Sequence, residues 1–233
     1  MTPAYGAWIA AIVESMYTDG VLQPPLPPDM AKDWQLIDYL TARDALLGLQ
    51  RIGLGEQVFF GFLARSKADP LQYVVAIRGT ERADEWVIDA EATLVNHLHL
   101  GFNSIYLSML FRSVHPAAGI TAATPPSSTL TIVGHSLGAP LACYLLNDLM
   151  GLRDCFGLFY AMPKPGDATF AAAFKASEAR YNVYNYDPDA VPKMPPFSRF
   201  VPLPNVHTIP ASPKIPDNLI ENHRAANYAA LLT

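Results

Sequence analysis

The chain has 233 residues, enough for one large domain or two small ones, and a chain of that size buries roughly 70% of its unfolded surface without a metal or a disulfide. A net charge of −5 with no basic stripe excludes nucleic acid as the main partner, because nothing is present to neutralise a run of phosphates. Apolar residues make up 51% of the chain, yet no run approaches the ~18 apolar residues of a membrane span, which excludes a transmembrane segment.

No Gly/Ser-rich linker or internal repeat divides the chain, so a single domain over residues 1–233 is expected. The apolar stretch at 7–13 has no Lys or Arg before it and no cleavage site after it. No signal peptide is therefore expected, which makes the protein cytoplasmic or the chain an already mature secreted form. Cys143 and Cys155 are the only cysteines. Two buried free thiols are expected, with a single bridge as the alternative.

Helical spacing of Trp8, Ile9, Ile12, Val13 and Met16 predicts a helix over residues 4–17, stopped by the prolines at 24–28. Residues 58–64 and 72–78 read as paired strands joined by a polar turn with Pro70. Residues 81–91 read as a short amphipathic helix, with Ala83, Trp86, Val87 and Ala90 on one face. A longer helix is expected over 102–114, ended by Pro116 and Gly119. Residues 130–133 form a buried strand and 139–150 a helix. A strand at 156–161, an Ala-rich helix at 168–179 and a strand at 180–186 follow. Eight prolines then lie between Pro192 and Pro216, which exclude a long helix or a central strand there. A helix over 219–232 closes the chain. The strand–helix alternation of the second half implies parallel strands with crossover helices.

Gly134-His135-Ser136-Leu137-Gly138 falls between the strand at 130–133 and the helix at 139–150. In that context a Gly-x-Ser-x-Gly makes a sharp turn that holds the serine strained, with its hydroxyl exposed above the sheet. A Cβ at either glycine would crowd a neighbouring element. Ser136 is the candidate nucleophile. A serine hydroxyl needs a base to take its proton, and the base needs a group to fix its tautomer.

In the α/β-hydrolase architecture the acid and then the base follow the serine along the chain. Asp187 and Asp189 both follow the strand at 180–186. Position alone favours Asp189, because an aspartate before proline, as Asp187 is, is often a turn former. Asp148 and Asp154 are placed to point away, and Asp167 to cap a helix. The histidines available are His207 and His223. His223, at the junction of loop and final helix, is favoured, with His207 left open.

Four segments taken in order resemble the class 3 lipases, the family of filamentous-fungal triacylglycerol lipases and feruloyl esterases. They are Val74-Val75-Ala76-Ile77-Arg78-Gly79-Thr80, His99-Leu100-Gly101-Phe102 with Tyr106, Gly134-His135-Ser136-Leu137-Gly138-Ala139, and Asp189-Ala190-Val191-Pro192-Lys193-Met194-Pro195. The resemblance implies an α/β-hydrolase fold with a central, mostly parallel sheet and helices on both faces. It places the acid at Asp189 and the base at His223, and implies an oxyanion hole from the backbone N–H groups of Leu137 and Thr80. It also implies a lid over 81–91, with Trp86 and Val87 on its apolar face. Pro140, and Tyr160-Ala161-Met162-Pro163 in place of Phe-Gly-x-Pro, depart from the family pattern. So do the short chain and the absence of the disulfides of secreted members.

The apolar residues of the proline-rich loop, Phe197, Phe200, Val201, Leu203, Ile209 and Ile215, are expected to wall an acyl pocket or to join the core. The expected activity is serine carboxylic-ester hydrolysis, foremost on triacylglycerols. The alternatives are an esterase for soluble or feruloyl-type esters and, more remotely, an inactive lipid-binding protein on the same fold. The partner is a lipid or small-molecule ester, with transient contact at a lipid interface, and no metal or cofactor is implied.

Overall fold

A computed structural model describes residues 1–43, 56–80 and 93–233. Helix α1 (Pro3–Ser15) starts where the Thr2 hydroxyl accepts the Tyr5 N–H, with a proline in its first turn. Helix α2 (Pro28–Asp33) runs straight into β1 (Trp34–Arg43), which pairs antiparallel with β2 (Gln57–Ser66), itself antiparallel to β3 (Gln72–Ile77). The expected β2 and β3 are present. Strand β1 has no counterpart in the sequence reading, for a physical reason. Its register against β2 shifts between Leu36 and Asp38 and again between Leu40 and Thr41, which breaks the alternation that marks a strand.

A short antiparallel pair, β4 (Leu94–Val95) and β5 (Leu98–His99), leads into α3 (Leu100–Ser108). The helix expected over 102–114 is corrected here. It ends at Ser108, and β6 (Leu110–Phe111) joins the free edge of β1. Arg112 and Ser113 then turn the chain with φ of 52° and 65°. Pro116 opens helix α4 (Pro116–Ala123) rather than closing the previous one, since a missing N–H costs nothing in a first turn.

The second half keeps the predicted order: β7 (Thr129–His135), α5 (Gly138–Leu149), β8 (Asp154–Tyr160), α6 (Ala168–Lys175) and β9 (Tyr181–Tyr186). Asp167 caps α6, accepting the N–H groups of Thr169 and Phe170. The proline-rich stretch holds β10 (Val206–Ile209), a parallel edge strand between Pro204 and Pro210. The final helix is split into α7 (Leu219–His223) and α8 (Ala225–Leu231), because Arg224 is extended at ψ 125°.

The sheet runs β10-β9-β8-β7-β3-β2-β1-β6. It is parallel from β10 to β3 and antiparallel beyond, so it is mixed. One face is covered by α3 to α6, whose Ile105, Ile120, Leu141, Leu145 and Phe174 meet Val75, Ile132 and Phe159 of the sheet. The other is covered by α1 and α8, where Ile9, Val13 and Tyr228 meet Phe62, Val74, Val133 and Tyr160. Cys143 and Cys155 are both buried and free. Among the described residues no helix is long and apolar enough to cross a membrane.

Candidate active site

Ser136 leaves the carboxyl end of β7 with φ of 54°, a left-handed conformation that costs a non-glycine residue strain. The turn is held by close approach. A Cβ at Gly134 would stand 2.3 Å from the Gly138 carbonyl oxygen, and one at Gly138 would stand 2.3 Å from that of Ile77. The Ser136 N–H donates to the Tyr160 carbonyl at 3.0 Å, and its own carbonyl accepts the Ala139 N–H at 3.0 Å. The turn is thereby tied to β8 and to the start of α5.

His223 ends α7, which Asn218 caps through the Glu221 N–H. Asp189 follows β9 and is 1% exposed. The Ser136 hydroxyl donates to His223 Nε2 at 2.7 Å, and His223 Nδ1–H donates to Asp189 Oδ2 at 2.9 Å. Asp189 Oδ1 accepts the Val191 N–H at 2.9 Å. The Tyr228 hydroxyl also donates to Asp189 Oδ2, at 2.8 Å, and accepts the Tyr186 N–H at 3.0 Å. The structure therefore brings Ser136, Asp189 and His223 together. It separates their rivals. Asp187 is exposed, and His207 stands exposed on β10, stacked on Tyr184 and bonded to Asn182. Asp148 accepts the Tyr106 hydroxyl and Asp154 pairs with Arg180.

Strand β3 runs parallel to β7 with Ile77 opposite Gly134, so Arg78-Gly79-Thr80 leaves the sheet beside the serine turn. Leu137, fully buried, is the N-cap of α5, the positive end of a twelve-residue helix. Thr80 is half-buried and lines a small cavity with Glu14, Arg78 and Gly79. The lid expected over 81–91, including Trp86 and Val87, lies outside the described residues. Of the proline-rich loop, Leu203 joins one core and Ile209 and Ile215 the other. Phe200 packs on His99, while Phe197 is exposed.

Three residues around this site have no role in the sequence reading. Tyr228 is one. The others are Glu14 and His135, where His135 Nδ1–H donates to Glu14 Oε1 at 2.7 Å. No spacing rule links residues 121 apart. The His-x-Gly-Phe histidine, His99, is 4% exposed and stacks on Phe102 at 4.1 Å. Neither of its ring nitrogens has a side-chain hydrogen-bond partner among the described residues, and burial pushes its imidazole down to about 4.

The model of the family described as lipase (class 3) matches residues 74–199. Phospholipase A1-II 3 of Oryza sativa subsp. japonica is 30% identical over 191 residues, covering 63% of this chain and 45% of that protein. The chain thus spans just under half the length of that relative. Among solved structures, Rhizomucor miehei triacylglyceride lipase is 19% identical with a TM-score of 0.67, over 88% of this chain and 78% of that one. MDLA of Penicillium cyclopium, in a mutant form, is 22% identical with a TM-score of 0.65, over 91% of this chain and 79% of that one. At such identities the two structures share the fold, while the family match spans more than half of the sequence. The chain belongs to the class 3 lipase family.

Proposed function

We propose that this chain hydrolyses lipid carboxylic esters through an acyl-enzyme on Ser136. The observation that carries the reading is the unbroken relay from Ser136 through His223 to Asp189, at 2.7 and 2.9 Å. In the mechanism, His223 Nε2 takes the serine proton as Oγ attacks the ester carbonyl. Asp189 holds the Nδ1–H tautomer and balances the imidazolium that forms. The Leu137 and Thr80 N–H groups, with the Thr80 hydroxyl, stabilise the tetrahedral oxyanion. The imidazolium then protonates the leaving alcohol. Water, activated by the same base, attacks the acyl-enzyme and releases the acid. A single domain spanning the chain is supported by one continuous sheet with a core on each face. The lid role of residues 81–91 rests on their amphipathic sequence and on the resemblance to class 3 lipases.

The substrate we favour is an acylglycerol. The shared fold with a triacylglyceride lipase is compatible with it, as is the apolar composition of the chain. A second reading, an acyl ester of a phospholipid, is favoured by the rice relative's name. Purified protein would be assayed on emulsified triglyceride, phosphatidylcholine liposomes and p-nitrophenyl butyrate, beside Ser136→Ala. Turnover of triglyceride that vanishes in the variant is the expected result. Turnover of phosphatidylcholine alone would move the reading to phospholipids. Activity confined to the soluble ester would sink the lipid reading and leave an esterase. Folded protein that a fluorophosphonate fails to label at Ser136 would sink the enzyme altogether.

A further inference from the structure

Behind the serine turn lies a second pair of ionisable groups that the mechanism above does not use. His135 is the last residue of β7, and its side chain is 3% exposed. On one side its Nδ1–H donates to Glu14 Oε1 of α1 at 2.7 Å. On the other its ring lies 4.7 Å from the His223 ring, centroid to centroid, tilted by 36°. The groups facing it are Glu14 from α1, Asp189 after β9, His223 from α7, and the edge of Tyr228 from α8 at 5.6 Å.

We propose that Glu14 is a positioning residue: acting through His135, it holds His223 and the Ser136 turn in the geometry that proton transfer requires. The proposal rests on the reading of Ser136 as nucleophile. Burial of the His135 ring disfavours its charge, but the Glu14 carboxylate, Asp189 and the His223 backbone carbonyl outweigh that, and its pKa is raised. Among the described residues Nε2 makes no hydrogen bond, and the nearby His223 carbonyl favours a proton on the ring. A protonated His135 is thus bonded to Glu14 on one side and lies against the ring of the base on the other. A neutral ring carries one N–H and no charge. Glu14 weighs most on which form is present, because it is the carboxylate bonded to the ring and a buried imidazolium without one gives up its proton.

A histidine that only filled space behind the turn would be indifferent to that charge. Glu14→Gln keeps the shape and removes the charge. Labelling of Ser136 by a fluorophosphonate, and kcat on a p-nitrophenyl ester, are expected to fall roughly ten- to a hundredfold with KM unchanged, the scale of a small misplacement of reacting groups. The alkaline edge of the kcat profile, where His135 loses its proton, is expected to move to lower pH. In wild type, ¹⁵N imidazole shifts are expected to show His135 doubly protonated at pH 7.

A wild type that labels, beside a variant that labels as fast with the same alkaline edge, overturns this proposal alone. A neutral His135 in the wild-type spectrum overturns it as well, even if Glu14→Gln fails to fold. A wild type that does not label at Ser136 overturns the nucleophile reading and this proposal with it.

Discussion

The Tyr228 hydroxyl reaches the same Asp189 oxygen that His223 does, at 2.8 Å against 2.9 Å. Asp189 is thus held by three donors, counting the Val191 N–H on its other oxygen. Because Tyr228 sits in α8, just beyond the extended Arg224, it locks the last helix onto the acid and with it the segment that carries His223. Tyr228→Phe removes one donor from a buried carboxylate and leaves the Tyr186 N–H without its acceptor. The cost is about 1–3 kcal/mol, or a fall in Tm of roughly 5 °C for a chain of this size. A kcat reduced about tenfold with little change in KM is expected from a loosened acid. Calorimetry and steady-state kinetics on the variant would check both.

Ser136→Ala should keep the fold and lower turnover by about 10⁴-fold or more, as loss of a nucleophile does. His223→Ala should be comparably severe. His207→Ala should be mild, because that ring stands exposed on the edge strand, bonded to Asn182. A titrimetric assay of released fatty acid across the three variants reads the order directly. A severe His207 variant beside a mild His223 one would reassign the base.

His99 links stability to acid. Burial lowers its pKa from 6.5 to about 4, so the unfolded chain takes up a proton that the folded chain refuses. Stability from this group is complete above pH 6.5 and is lost as pH falls toward 4. The shift corresponds to roughly 3 kcal/mol. Urea unfolding at pH 7 and pH 4 should show wild type losing that much more than His99→Phe, which keeps a ring stacked on Phe102.

Both thiols should be silent in the native protein. Burial pushes the Cys155 thiol up to about 11 and that of Cys143 well above its ordinary range, so neither presents a reactive thiolate at pH 7. Ellman's reagent should find neither thiol in the folded protein and both after guanidinium. Prompt native reaction at either would contradict the packing of α5 and β8.

Much of the site was legible in the sequence because the chemistry rests on short segments. The serine turn is written in five consecutive residues, and its strained backbone follows from two glycines whose Cβ atoms have no room. Asp189 follows its strand closely and His223 stands at a helix end, so chain order and the Asp189-Ala190-Val191-Pro192 segment select both as candidate acid and base. Strand–helix alternation likewise reveals the parallel half of the sheet. Where local pattern fails, so does the reading. The bulged β1 hides its alternation, and the break at Arg224 interrupts what periodicity presents as one helix.

The support around the relay is of another kind. Glu14 meets His135 across 121 residues, and Tyr228 meets Asp189 across 39. Each contact exists because two helices pack on the same face of one sheet and aim a polar side chain at the turn beyond β7 and β9. The sequence by itself picked out the candidate nucleophile, its candidate partners and the family, since these are set by local backbone geometry and chain order. Only the tertiary structure decided what holds them in place, since packing between distant elements leaves no period or motif in the chain.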